Sequence, residues 1–214
     1  MTIIDVSAWQ GDDYGNSTVD WDGLITEGIE GVIIKIGEGA KLDEAFIDHA
    51  NQAVAHGLKI GIYYYGHACT PEEAQQEAQQ VEAWVDEYLN GSCPALGIWY
   101  DAESQRMLEG DTTAICSTFI SYLNGIGYEY VGIYSSWNWL SYEGSHYIHM
   151  EELEDYVPYW VAQYGNSSCS LAEENPRQTF ASGSIQTTTV MICHMMLAYL
   201  LIRRGRHDTG KRDT

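Results

Sequence analysis

Asp101 and Glu103 stand two residues apart at the end of the apolar run Leu96-Gly97-Ile98-Trp99-Tyr100. Such a run reads as a buried strand. Side chains alternate along extended backbone, so acids at i and i+2 face the same way. Like charges held close resist joint ionisation, and one of them keeps its proton toward neutral pH. One proton donor beside one anion is what glycoside cleavage requires: the acid protonates the leaving oxygen and the anion assists at the other face of the sugar. A bare D-x-E is short, however, and two unrelated acids at a solvated strand end would look the same. The rest of the chain decides between these readings.

Strand-like and helix-like segments alternate through the body, the pattern of a parallel α/β sheet or barrel. Strands are predicted over Ile3–Trp9, Val32–Gly37, Lys59–Tyr65, Leu96–Tyr100 and Tyr130–Ser135, with further ones over Tyr159–Tyr164 and Thr179–Ile185. Helices are predicted over Trp21–Glu27, over Glu44–His56 with Gly57 as its stop, and over Thr112–Gly125. Thr70-Pro71-Glu72-Glu73 supplies a cap, a proline at the first helical position and acids in the first turn. The helix it opens should run to about Leu89, with Ala74, Ala78, Val81 and Val85 toward the core. Asp5, Glu38, Tyr65, Asp101 with Glu103, Tyr134 and Gln163 then all fall at or just beyond a strand's C-terminal end. In a β/α barrel those ends converge on one face, where active sites are built.

The 214 residues fit one large domain with a substantial core. A formal net charge of −21 excludes nucleic acid as a natural partner, because phosphate backbones call for Lys and Arg. It also disfavours electrostatic adsorption to an anionic membrane or wall polymer. Five of the ten basic residues (Arg203, Arg204, Arg206, Lys211 and Arg212) lie in the last dozen positions, so the preceding body is more acidic still. Tyr 16 and Trp 7 against Phe 3 suggests rings that meet something polar, as sugar clefts do, although a Tyr-rich core would give the same counts. The five cysteines (Cys69, Cys93, Cys116, Cys169, Cys193) form no C-x-x-C pair, so neither a metal site nor a full disulfide framework is expected. His67, His146 and His149 lack metal-ligand spacing with nearby acids and read as surface or loop residues. Thr2-Ile3-Ile4-Asp5 is already strand-like, so no leader is expected, and Val190–Ile202 is too short for a comfortable membrane span.

Several ordered motifs, from about residue 3 to residue 166, resemble glycoside hydrolase family 25, the Chalaropsis-type lysozymes that include many phage endolysins. They are Asp5-Val6-Ser7-Ala8-Trp9-Gln10-Gly11, Val19-Asp20-Trp21, Ile33-Ile34-Lys35-Ile36-Gly37-Glu38-Gly39, Gly61-Ile62-Tyr63-Tyr64-Tyr65, Ile98-Trp99-Tyr100-Asp101-Ala102-Glu103, Gly127-Tyr128 through Gly132-Ile133-Tyr134-Ser135-Ser136, and Trp160-Val161-Ala162-Gln163-Tyr164. The resemblance implies an α/β fold, an irregular TIM-like (β/α)5(β)3 barrel. It implies cleavage of the β-1,4 bond between N-acetylmuramic acid and N-acetylglucosamine of bacterial peptidoglycan, without metal or organic cofactor. By the same resemblance Glu103 is the general acid. Asp101 stabilises the oxocarbenium charge or orients the substrate N-acetyl group, and Asp5 tunes the pair. Glu38, Tyr65, Tyr134, Trp160 and Gln163 are the expected substrate-binding residues. Neighbouring Tyr63, Tyr64 and Trp99 could face the cleft instead, Asp5 could merely cap a turn, and Lys35 is expected to pair with Glu38. A monomer made in the cytoplasm and acting on the wall after release is the expected form.

After Gly165 the chain departs from the family, whose ending carries a W-Q-Y-T-like strand and a further aspartate. The catalytic domain is therefore expected over 1–180, with 181–214 an aberrant apolar and basic tail. Permitted codons for 181–198 can be read in another frame as Ile-Trp-Gln-His-Thr followed by an aspartate-bearing ending, which a frameshift would explain. Loss of closing strands would weaken stability and activity. A non-catalytic glycan-binding remnant is the alternative from another class. A chitin-directed enzyme is disfavoured, because its D-x-x-D-x-D-x-E signature is missing before Asp101.

Overall fold

In the computed structural model, which describes residues 2–162, the strand–helix alternation becomes a curled parallel sheet with helices on its outer side. The strands are β1 (Thr2–Val6), β2 (Ile29–Glu38), β3 (Lys41–Leu42), β4 (Lys59–Tyr65), β5 (Ile98–Asp101), β6 (Val131–Ser136) and β7 (Tyr159–Ala162). The helices are α1 (Trp21–Thr26), α2 (Phe46–Ala55), α3 (Pro71–Leu89), α4 (Thr112–Gly125) and α5 (Trp137–Leu140). The sheet path is β1-β2-β4-β5-β6-β7, every neighbour parallel, with β3 turned back antiparallel on β2.

The sheet separates two cores. Outside, Ile34 and Ile36 of β2, Ile62 and Tyr64 of β4, Ile98 and Tyr100 of β5 and Ile133 of β6 pack on helix residues such as Phe46, Val81, Val85 and Phe119. Burying side chains of this size contributes about 1.5–3 kcal/mol each. Inside, Ile3, Ile33, Leu96, Trp99, Tyr134, Trp160 and Ala162 form a second cluster. Ile3 lies on β1 and Trp160 on β7, the two ends of the sheet path, so their membership in one cluster shows how far the sheet curls.

Local chemistry sets the boundaries. Thr70 caps α3 by accepting from the Glu73 amide, Pro71 opens the helix, and Asn90 ends it in the left-handed conformation at φ 54°. The expected core face of α3 is buried, with Trp84 added to it. The first strand is shorter than expected: Ser7 and Gln10 form a capping box that turns 8–10 into a 3-10 helix. Asp43 accepts from the Ala8 amide at 3.0 Å, and buried His49 bonds the Ser7 carbonyl at 3.0 Å and Ser17 Oγ at 3.0 Å, so α2 braces this turn. The second strand starts earlier than expected, at Ile29. Neither β3 nor α5 was expected, each being too short to leave a periodic signature. The expected strand over Thr179–Ile185, the apolar stretch Val190–Ile202, the domain boundary at 180 and Gln163 lie outside the described residues. Among the described residues no helix is long and apolar enough to cross a membrane, and Cys69, Cys93 and Cys116 are free.

Candidate active site

Strand register lines the candidate residues up. Glu38 pairs with Tyr65, Tyr65 with Asp101, Asp101 with Tyr134, and Tyr134 with Trp160. Residues in register on parallel strands face the same side. Tyr134 and Trp160 belong to the inner cluster, so the whole row faces the concave side of the sheet. Asp5 pairs with Ile33, another inner residue, and joins the same side from β1.

Glu38 reaches that side through an irregularity. The β2–β4 register shifts between Lys35 and Gly37, and Ile36, the extra residue, is fully buried in the outer core. A bulge of this kind returns the next residues to the opposite face. Lys35 and Glu38 can then bond at 2.6 Å across an i,i+3 spacing that a regular strand would not permit. The expected pair is present. It holds the Glu38 carboxyl below its ordinary range, chiefly through the Lys35 hydrogen bond. Lys35 Nζ also lies 5.4 Å from the Tyr65 ring centroid.

Asp101 ends β5 and is 4% exposed. Burial pushes its carboxyl well above the usual carboxylate range; Glu103, Asp5 and Glu38 push it further, while Lys35 opposes them. Its Oδ1 atom is buried without a hydrogen-bond partner among the described residues. Glu103 lies just beyond the strand and is half-buried, the more accessible of the two acids. The backbone between them is pinned on both sides. The Ala102 amide donates to the Tyr134 carbonyl at 2.8 Å, buried Ser135 Oγ donates to the Ala102 carbonyl at 2.6 Å, and the Gly66 amide donates to the Asp101 carbonyl at 3.0 Å.

Comparison with known proteins settles the family. The profile described as "Glycosyl hydrolases family 25" matches residues 4–181. The chain belongs to that family. No curated protein matches the sequence. Among solved structures it is similar to the modular autolysin LytC from Streptococcus pneumoniae, at 24% identity and a TM-score of 0.62, over 77% of this chain and 38% of that one. It is also similar to the catalytic domain of endolysin ply40 from bacteriophage P40 of Listeria monocytogenes (22% identity, TM-score 0.60, 76% of this chain and 73% of that one). A third is a family GH25 lysozyme from Aspergillus fumigatus (18% identity, TM-score 0.56, 76% and 77%). The chain thus spans well under half the length of LytC.

Within this family 25 domain, Tyr63, which the sequence offered only as an alternative to the expected binding residues, is an inward residue. It shares the concave face with Tyr65, is hydrogen-bonded to Ser7, and burial with the nearby Asp5 and Asp101 charges pushes its phenol strongly up. Strand alternation was the available signal, since Tyr63 and Tyr65 are i and i+2. Tyr64 instead faces the helices and donates to the Gly39 carbonyl at 3.0 Å. Trp99 is inward but deep, its Nε1 donating to the Leu96 carbonyl at 2.8 Å. Tyr134 and Trp160 meet with their rings tilted by 60° and centroids 4.5 Å apart, and are 8% and 3% exposed, so they floor the concave face rather than project from it. Asp5 lies within β1, and Ser7 does the capping nearby.

Proposed function

We propose that this chain is a muramidase that cleaves the β-1,4 bond between N-acetylmuramic acid and N-acetylglucosamine in peptidoglycan. The observation that carries the reading is the transverse row of acids and tyrosines on the concave face, with Asp101 buried and Glu103 accessible beside it. Family membership supports the reaction class. LytC has been solved in complex with a synthetic peptidoglycan ligand, which supports the substrate class.

Glu103 donates its proton to the glycosidic oxygen as the bond to C1 breaks, and the positive charge that develops at C1 and the ring oxygen is met by Asp101. Two carboxyls coupled in this way titrate as a pair. The productive arrangement has the proton on Glu103 and the charge on Asp101, which Lys35 favours electrostatically. The unpartnered Asp101 Oδ1 is placed to accept from the substrate acetamide N–H, and this favours the orienting role for Asp101. Water then adds to the anomeric carbon, and its proton returns to Glu103. Asp5 and Glu38 keep the charge balance of the pair, Tyr65 and Tyr63 border it, and Gln163 is assigned to substrate binding.

In this reading the enzyme is a prophage-type endolysin that reaches the wall after release, with activity reduced by the altered ending after residue 180. The test of the acid is Glu103→Gln, expected to lower kcat by about 100-fold or more with the fold intact. Retention of wild-type turnover would overturn the assignment. A purified chain that binds glycan but produces no new reducing ends would favour the remnant reading.

A further inference from the structure

The connection between β4 and α3 carries an imidazole to the edge of the acid pair. His67 lies just past the end of β4, and its ring meets that of Tyr65 edge-on, with centroids 4.9 Å apart and planes at 70°. It extends the face of Tyr63 and Tyr65 by one more step of the strand period. The charged imidazole also draws down the carboxyl of Glu38, another member of the row. From the other side, His67 Nδ1 lies 3.3 Å from Oγ of Ser104, the residue that follows Glu103. Ser104 is buried, and its side chain also bonds the Tyr65 hydroxyl. Burial and the charges of Asp101 and Glu103 push the Tyr65 phenol up, so this ring feels both acids.

The backbone of this loop is held without help from the imidazole. Glu77 Oε1 accepts from the His67 amide at 2.8 Å, the same carboxyl takes the Ala68 amide, and Glu73 Oε2 accepts from the Cys69 amide at 2.8 Å. Arg106 donates to the His67 carbonyl and, at 2.8 Å, to Glu73. Tyr100 donates to Glu77 Oε2 at 2.6 Å, which ties the loop to β5 one residue before Asp101. Hydrogen bonds with an ionised partner are the strong ones, and these would hold the loop whatever side chain stood at position 67. The contact between imidazole and Ser104 is therefore not needed to shape the loop. What it fixes is Ser104 and, through Ser104, Tyr65.

We propose that His67 is a positioning residue for the acid pair: its Nδ1–H donates to Ser104 Oγ, the Ser104 hydroxyl donates to Tyr65, and the Tyr65 hydroxyl is left to donate toward Asp101 and Glu103. A serine hydroxyl has one proton, so donating to Tyr65 obliges it to accept from His67. That requirement selects the imidazole tautomer with its proton on Nδ1. A phenol oriented in this way favours the anion on Asp101 while Glu103 keeps the proton it gives. The effect on turnover rests on the muramidase reading; the chain of hydrogen bonds does not.

Asparagine carries its amide nitrogen where imidazole has Nδ1, and glutamine carries its own where imidazole has Nε2. In the full chain acting on purified walls, His67→Ala and His67→Gln should each lower kcat about tenfold or more with KM within about twofold, and His67→Asn should recover most of the loss. Adding Ser104→Ala to His67→Ala should cost no more than either change alone, as for residues acting in one series. A packing role would leave His67→Asn no better than His67→Gln. The tautomer is read without turnover, by proton–nitrogen NMR of the unaltered chain at about pH 8, where the imidazole is neutral. His67 Nδ1 should carry the proton there and lose it to Nε2 in Ser104→Ala. An unaltered chain that releases no new reducing ends yet shows the Nδ1–H tautomer would overturn the muramidase reading and uphold the chain of hydrogen bonds. Unaltered turnover in His67→Ala, equal turnover in His67→Asn and His67→Gln, losses that multiply in the double variant, or an Nε2–H tautomer in the unaltered chain would each overturn the proposal.

Discussion

Lys35 and the low-dielectric surroundings of Asp101 pull that carboxyl in opposite directions. Burial, with Glu103, Asp5 and Glu38, favours the neutral acid, and the Lys35 cation favours the carboxylate. Removing the cation must raise the Asp101 pKa further. Lys35→Met is therefore expected to move the acid limb of the activity profile to higher pH by about half a unit to one unit, measured as kcat/KM across pH 4–8. A limb that stays in place or moves down would contradict this electrostatic role. Stability should respond in the reverse sense to loss of the buried acid. An acid whose folded pKa lies above its unfolded value, about 3.9, binds protons more tightly when folded. The fold then loses stability as pH rises from about 4 through the raised pKa. Asp101→Asn is accordingly expected to gain about 1 kcal/mol in denaturant unfolding at pH 7, to lose that gain below pH 4, and to lose activity. At this scale the pair Asp101 and Glu103 was legible because a two-residue period needs no tertiary knowledge. The same period decides between the alternatives Tyr63 and Tyr64, since only Tyr63 shares the face of Tyr65. The buried state of Trp160 could not, because it depends on Tyr63, Trp99 and Tyr134 arriving from three other strands.

At the scale of elements, the β5 segment has to arrive in register with both neighbours, and Gly97 starts it. Its φ of +84° is open to few L residues, and a Cβ there would sit 2.1 Å from Tyr130 Cδ1. Gly97→Ala is expected to destabilise the protein by at least about 2 kcal/mol in chemical denaturation and to reduce activity by displacing Asp101. A change under half that size would show that the strand start is not constrained as described. Helix α3 was legible almost to the residue, since Thr70, Pro71 and the acids of its first turn are local signals. The end of β1 was not: Ser7 is equally compatible with continued strand, and the turn is fixed by Asp43 and His49 from more than thirty residues away. The bulge at Ile36 was equally hidden, because the strand segment Val32–Ile36 has the same composition with or without it. Yet it is the bulge that brings Glu38 onto the face of Lys35 and Asp101.

For the whole molecule, a net charge of −21 opposes approach to an anionic wall. The repulsion reaches about 30 Å at 0.01 M salt and about 8 Å at 0.15 M. Lysis of purified walls is therefore expected to quicken over that range, while cleavage of a small neutral oligosaccharide stays flat. A wall rate that falls with salt would point to a basic adhesive patch instead. The curled sheet, its parallel order and its family were readable from the alternation of elements and from motifs spread over strands that now stand side by side. The most direct test of the central claim is mass spectrometry of muropeptides released from purified walls, by this chain and by its Glu103→Gln form. The account expects disaccharide fragments with N-acetylmuramic acid at the new reducing end from the first and almost none from the second. Fragments ending in N-acetylglucosamine, or equal release by both forms, would contradict it.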